Sequence, residues 1–298
     1  MTNSDRPFSG IWLPIITPFQ DGHVDEKSFL SLLQHYSDSP IDGYIIGATT
    51  GEGLTLSKAE ISKLIYLANS VLKSAEDGPS VFLGLSGSHT QALVDAVQRW
   101  NDVDLDGYLV TCPYYVRPSQ EGIGLHFRTI AAATTRPIMI YNIPYRTGVN
   151  MTNDCLLELV QLDNVLLLKD CCADLIQSSE FIQRKPSRFS VLTGEDKQFL
   201  EALEAGADGG VLMSAHVQAK QFAEVLHQIQ LGNSSNARSR WQAIRGIPEL
   251  LFAEPSPAPV KYWLWRKGMV ASPEVCLPMT EIGNELARKI DQAISMGY

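Results

Sequence analysis

The chain has no block of basic residues longer than a couple of positions, and its 33 acidic residues outnumber the 24 basic ones, giving a net charge of −9. That balance argues against an extended electrostatic footprint for nucleic acid, while leaving room for a small anionic substrate in a local pocket. Long hydrophobic runs are also missing: the longest are of strand length, far short of a membrane span. The opening MTNSDRPFSG lacks the apolar segment of a leader, so no secretory signal is expected. Five cysteines (Cys112, Cys155, Cys171, Cys172 and Cys276) form neither a C-x-x-C pair nor a Cys/His metal spacing. Adjacent Cys171 and Cys172 are poorly placed for a mutual disulfide. Buried, reduced thiols in a cytoplasmic protein are the expectation. A glycine-rich dinucleotide fingerprint is absent too, which counts against a doubly wound open sheet, the competing fold for a chain of this pattern.

What is present is ordinary globular material: 298 residues, 45% hydrophobic and 19% charged, enough for a large core. Eight short aliphatic runs recur, at 11–19, 43–52, 80–88, 107–115, 137–144, 164–170, 189–196 and 208–215. They are apolar throughout rather than alternating, which is the signature of parallel strands buried on both faces. Segments at 57–75, 89–103, 119–135, 152–162 and 196–207 carry apolar residues at helical spacing, and Ser57 with Glu60 makes a capping box for the first of them. Repeated strand–helix alternation predicts a closed (β/α)8 TIM barrel over residues 1–217 that holds the active site. Residues 218–298 are expected to form a C-terminal helical appendage, with helices at 218–232, 236–252 and 258–268 and a turn-rich break at E-P-S-P-A-P (254–259).

Barrel enzymes work at the C-terminal ends of their strands, so the residues that close each run carry the functional information. The second run closes on G-A-T-T-G-E-G (47–53), whose glycines admit a ligand close to the backbone, and whose Thr49 and Thr50 offer hydroxyls and N–H groups to a carboxylate. The fifth closes on Tyr141 and continues through Y-N-I-P-Y-R-T-G to Arg146; a phenol there can shuttle a proton and a guanidinium can fork onto a carboxylate. The sixth, V-L-L-L-K-D, closes on Lys169. Loss of solvation in a barrel mouth lowers a lysine's pKa, and the free amine can attack a carbonyl to form a Schiff base. Each residue also has a plain structural reading: a turn with capping threonines, a core tyrosine, a surface arginine, a lysine paired with Asp170. The fourth run adds Tyr114 and Tyr115. His89, His126 and His216 are scattered, and no strand end gathers His or carboxylate ligands, so no metal is expected. Acids in T-G-E-D (193–196) and D-G-G (208–210) discourage a phosphate site.

Together, T-T-G-E (49–52), Y-N-I-P-Y-R-T-G (141–148), Lys169, P-Y-Y-V-R-P-S-Q-E-G (113–122), A-P-V-K-Y-W-L (258–264) and L-P-M-T (277–280) resemble the dihydrodipicolinate synthase/N-acetylneuraminate lyase superfamily, and within it the dihydrodipicolinate synthases. The resemblance runs nearly end to end. It implies a Schiff-base aldolase that condenses pyruvate with aspartate semialdehyde in lysine and diaminopimelate biosynthesis, without a cofactor. It implies Lys169 as the Schiff-base residue, Tyr141 as proton donor and acceptor, and Thr49 and Tyr115 as the rest of a hydroxyl relay. Tyr115 would reach a neighbouring subunit's site, in a homotetramer built as a dimer of dimers. Thr50 would hold the pyruvate carboxylate, Arg146 the carboxylate of the second substrate, and Val211 would line the pocket. The rivals are a sister lyase acting on a sialic acid or a 2-keto-3-deoxy sugar acid, and a non-catalytic keto-acid-binding paralogue.

Several positions depart from the family's usual pattern. Lys169 is followed by Asp170-Cys171-Cys172 instead of Glu and small residues; Ser88 and His216 stand where asparagines are common. Members inhibited by lysine carry His and Glu ligands where this chain has Ile61 and Ala92, so lysine feedback is expected to be weak or absent.

Overall fold

The computed structural model describes residues 8–73 and 78–298. Among them, eight parallel strands close into a barrel: β1 (Gly10–Leu13), β2 (Gly43–Ile46), β3 (Ser80–Leu85), β4 (Gly107–Thr111), β5 (Ile138–Asn142), β6 (Val165–Asp170), β7 (Ser190–Thr193) and β8 (Gly209–Val211). Each pairs with its sequence neighbour, and β8 closes on β1 through Ile11 opposite Gly210. All eight expected strands are present but shorter than their runs, because the polar ends of the runs are the loops that carry the site. A small antiparallel hairpin, Phe19–Gln20 with His23–Val24, follows β1.

Alternate residues of the strands separate two cores, as the two-residue period of a strand requires. Trp12, Ile45, Phe82, Leu109, Met139, Leu167, Leu192 and Val211 cluster inside the barrel. Their neighbours, among them Ile11, Tyr44, Val81, Tyr108, Ile140, Leu168 and Val191, pack outward against the helices. The floor of the interior is aromatic: Trp12 and Phe82 meet edge to face at 4.9 Å, and Phe8 covers both. Gly43 and Gly107 make room for them, since a Cβ at either would lie 2.4 Å from a ring atom.

At the N-terminal end, aspartates that precede even-numbered strands bind the strand before. Asp42 accepts the Ile11 N–H at 2.8 Å, Asp106 that of Val81 at 2.7 Å, and Asp208 that of Val191 at 2.9 Å. These bonds satisfy strand starts that the ladder leaves open, a device for stability at the end away from chemistry.

The helices are α1 (Glu26–Ser37), α2 (Lys58–Leu72), α3 (Thr90–Trp100), α4 (Gln120–Ala131), the one-turn α5 (Pro144–Thr147), α6 (Asn153–Leu159), α7 (Leu175–Arg184), α8 (Phe199–Glu204), α9 (Ala215–Gln230), α10 (Ser234–Ile244), α11 (Gly246–Leu251), α12 (Ala258–Arg266) and α13 (Asn284–Ser295). The Ser57/Glu60 capping box starts α2; residues 74 and 75 of the expected 57–75 helix lie outside the described residues. The helix expected at 236–252 is two, α10 and α11, because Pro248 has no N–H to give the Ile244 carbonyl. The one expected at 196–207 opens with a 3-10 turn, Asp196–Gln198, before α8. α9 begins before the expected 217/218 boundary and kinks at Gln218. Trp241 of α10 packs on Phe199 and Phe222, so the appendage shares its core with the last barrel helices.

Candidate active site

Strand parity builds the site. Met139 and Leu167 face the barrel interior, so the residues two further on, Tyr141 and Lys169, face it too, one level nearer the C-terminal mouth. The β5–β6 register sets Tyr141 directly beside Lys169, and the lysine Nζ lies 4.2 Å from the centre of the Tyr141 ring. Lys169 is 5% exposed. Burial lowers its pKa below the ordinary lysine value; Cys171, Asp196 and Glu195 pull the other way and Arg146 adds to the lowering.

Asp170 has the opposite parity and does not pair with Lys169. Its carboxylate accepts the Cys172 N–H at 3.0 Å and the Ser178 hydroxyl at 2.5 Å, which folds the chain back onto α7 after β6. Cys171 is a fully buried thiol in the interior cluster, and burial holds its pKa well above the usual thiol value. Gly194 accommodates both neighbours: a Cβ there would lie 2.3 Å from Cys171 Sγ and 2.6 Å from Lys169 Cε. The D-C-C sequence is thus a turn anchor, a packing thiol and a second anchor, the last being the Cys172 sulfur 3.3 Å from Ser178 Oγ.

A cavity at the mouth brings together Thr49, Thr50, Tyr141, Arg146, Lys169 and Val211, six of the seven residues singled out in the sequence. The Thr49 side chain stands next to the Tyr141 phenol, which burial holds well above its usual pKa; Cys171 and Tyr145 add to the rise, while Arg146 and Thr49 oppose it. Arg146 sits on α5, whose Pro144 opens the turn and whose Gly148 (φ +78°) ends it. Tyr115 is the exception. It is 90% exposed, with φ +71°, and its N–H bonds the Thr147 carbonyl, so it stands outside the cavity of its own chain.

The cavity also holds residues that the sequence reading did not single out: Pro14, Tyr145, Gly194, Asp196, Met213, Phe252 and Ser256. Asp196 closes the seventh run in T-G-E-D, so the strand-end rule could have found it. It is buried, and burial raises its pKa to about 6 against hydrogen bonds from Ser214 and the charge of Lys169. Phe252 and Ser256 come from the appendage, where no strand-end rule applies.

Beside this cavity lies a larger one of about 510 Å³, lined by Leu54, Ile61, Leu85, Ala92, Leu93 and Met279 and shared at its inner edge by Thr49, Arg146 and Ser256. Ser88 ties the 84–89 loop to the Tyr114 carbonyl at 2.5 Å. His216 is structural: Nδ1 donates to the Met213 carbonyl at 2.8 Å and Nε2 accepts the Ile16 N–H at 3.1 Å, so it pins the loop after β1. A surface cleft between Arg128 and Leu166 lies at the opposite end of the barrel. Among the described residues no group of three or more His, Cys, Asp or Glu is placed to hold a metal ion, and no helix is long and apolar enough to cross a membrane.

Comparison with known proteins finds relatives that match nearly the full length of the chain. The model of the Dihydrodipicolinate synthetase family matches residues 7–296. The 4-hydroxy-tetrahydrodipicolinate synthase 2 of Clostridium acetobutylicum is 38% identical over 283 residues, covering 95% of this chain and 98% of that one. The crystal structure of dihydrodipicolinate synthase from Aquifex aeolicus superposes with a TM-score of 0.92 at 31% identity, over 97% of this chain and 98% of the other. A structure described as the first monomeric dihydrodipicolinate synthase variant superposes with a TM-score of 0.93 at 27% identity, over 97% and 96% of the two chains. The chain belongs to the dihydrodipicolinate synthetase family.

Proposed function

We propose that the protein is a 4-hydroxy-tetrahydrodipicolinate synthase, a lyase that condenses pyruvate with L-aspartate 4-semialdehyde on Lys169. The observation that carries this reading is a desolvated lysine beside a tyrosine, in a cavity that Thr49 also lines. The neutral Lys169 amine adds to the pyruvate ketone and water leaves, giving an iminium that acts as an electron sink. A methyl proton then passes to the Tyr141–Thr49 relay, leaving an enamine. The enamine carbon attacks the aldehyde, whose oxygen takes the proton. The amine of the joined product displaces Lys169, which closes the ring and frees the enzyme. Thr50 binds the pyruvate carboxylate and the Val211 backbone lines its pocket.

Arg146 receives the second carboxylate, which favours an amino-acid aldehyde over the sugar of a sialic acid or 2-keto-3-deoxy sugar acid lyase. Tyr115 completes the relay of a second copy, in a dimer that pairs into a homotetramer. Support for a copy-to-copy contact comes from large apolar side chains left exposed beside the functional loops: Tyr115, Val116, Leu54 and Leu277. The five free cysteines fit a reducing, cytoplasmic setting. Turnover tests the reading: pyruvate consumption with aspartate semialdehyde is expected to exceed that with N-acetylmannosamine by orders of magnitude, and the reverse preference would refute it.

A further inference from the structure

The loop that carries Thr49 and Thr50 is held from behind by the C-terminal appendage. Glu52, two residues after Thr50, has a side chain 3% exposed, and its carboxylate forms an ion pair with Nζ of Lys261, whose side chain is 1% exposed. The other carboxylate oxygen accepts the Cys276 N–H at 2.7 Å. Lys261 donates to the Glu274 carbonyl at 2.8 Å, and its Nζ stands 4.3 Å from the centre of the Phe19 ring. One buried contact therefore joins three segments: the 47–53 loop, α12 and the stretch at 274–276.

The loop itself is tightly folded. Glu52 has φ +53°, a left-handed conformation that a non-glycine residue keeps only when its surroundings enforce it. A Cβ at Gly51 would lie 2.8 Å from the Ile15 carbonyl, and one at Gly53 would overlap the Gly47 carbonyl. The Glu52 N–H donates to the Thr49 carbonyl at 3.1 Å, so the residue that holds the ion pair is bonded directly to the residue that meets Tyr141.

A fully buried ion pair contributes little net stability relative to apolar side chains of the same shape, because desolvation offsets the Coulomb attraction. What it supplies is a fixed position. We propose that the Glu52–Lys261 pair is a strut that sets the T-T-G-E loop in catalytic register, which makes the appendage part of the catalytic apparatus. Glu52 and Lys261 are positioning residues; they act through Thr49 and Thr50. The inference rests on the reading of Thr49 and Tyr141 as a proton relay.

The experiment reads that relay without the second substrate, as exchange of the pyruvate methyl protons with deuterium followed by NMR. Wild type, the charge-free double variant Glu52→Gln/Lys261→Met and the charge-retaining Lys261→Arg are compared, with Tm and circular dichroism as fold controls. Lys185→Met/Asp208→Asn serves as a reference, since that pair is also buried, at 3.3 Å, but at the opposite end of the barrel. Exchange is expected to fall about 10- to 100-fold in both strut variants, as for an ångström-scale misplacement. The fall in kcat should exceed any rise in KM for pyruvate. The reference variant is expected to exchange at the wild-type rate. Wild-type exchange in a folded strut variant overturns the proposal, as does an equal loss in the reference variant. If the double variant fails to fold, Lys261→Arg decides alone. Absence of exchange in the wild type removes the relay itself and refutes the underlying reading, an outcome distinct from failure of the strut.

Discussion

At the residue scale, the proposed chemistry depends on a buried amine whose charged form is disfavoured by desolvation and by a nearby guanidinium. The lowered pKa of Lys169 fixes the sign of the pH dependence: adduct formation with pyruvate should rise with pH through a midpoint below that of an ordinary lysine. Arg146→Ala removes one of the lowering influences, so the midpoint is expected to move up. The same variant should lose about 10- to 100-fold in kcat/KM for the aldehyde, the loss of a charge-assisted hydrogen bond, with a smaller effect on pyruvate; steady-state kinetics across pH check both. Gly194→Ala is a sharper test of packing. Its methyl group would collide with Lys169 Cε and Cys171 Sγ, costing about 1–3 kcal/mol by overpacking and slowing adduct formation; denaturant midpoints and trapping rates measure the two effects. Lys169, Tyr141, Thr49, Thr50 and Arg146 are legible in the sequence because they close apolar runs or follow them within a few residues. Ser256 and Phe252 are not, because they reach the cavity by tertiary packing of the appendage.

At the element scale, the barrel is legible because each strand is a continuous aliphatic run and α2, α4 and α6 carry Ser or Thr caps. The helices α1, α5, α7 and α13 are not anticipated. In α7, Leu175 and Ile176 are exposed and Phe181 is the buried anchor, with Ile182 packed against the core beside it. The tail after Lys169 is explained only in three dimensions, since nothing in D-C-C announces that Asp170 binds Ser178 or that Cys171 fits against Gly194, just past the end of the next strand. The α2–α3 face carries a prediction of its own. Ile61 and Ala92 line an apolar cavity, which gives an amino acid's second ammonium no partner from either position. Lysine at millimolar concentration is expected to leave the initial rate unchanged, and inhibition below 1 mM would contradict the assignment of that face.

At the scale of the whole molecule, two buried histidines make stability depend on pH. Burial lowers the pKa of both His216 and His126 to about 4, so each stays neutral in the folded chain while the unfolded chain protonates near the ordinary value of about 6.5. The stability they allow is fully present above that value and is lost as pH falls from about 6.5 toward 4, by up to roughly 3 kcal/mol per histidine. Urea midpoints between pH 7.5 and 4.5 are expected to fall along that window, and His216→Gln should flatten part of the slope. The aromatic barrel floor closes the interior below Lys169, and Phe252 and Ser256 of the appendage close the cavity above it. The most direct measurement is incubation with pyruvate, reduction with borohydride and peptide mapping. The expected result is one covalent adduct, on Lys169, absent from Lys169→Ala; no adduct, or an adduct on another lysine, would contradict the account.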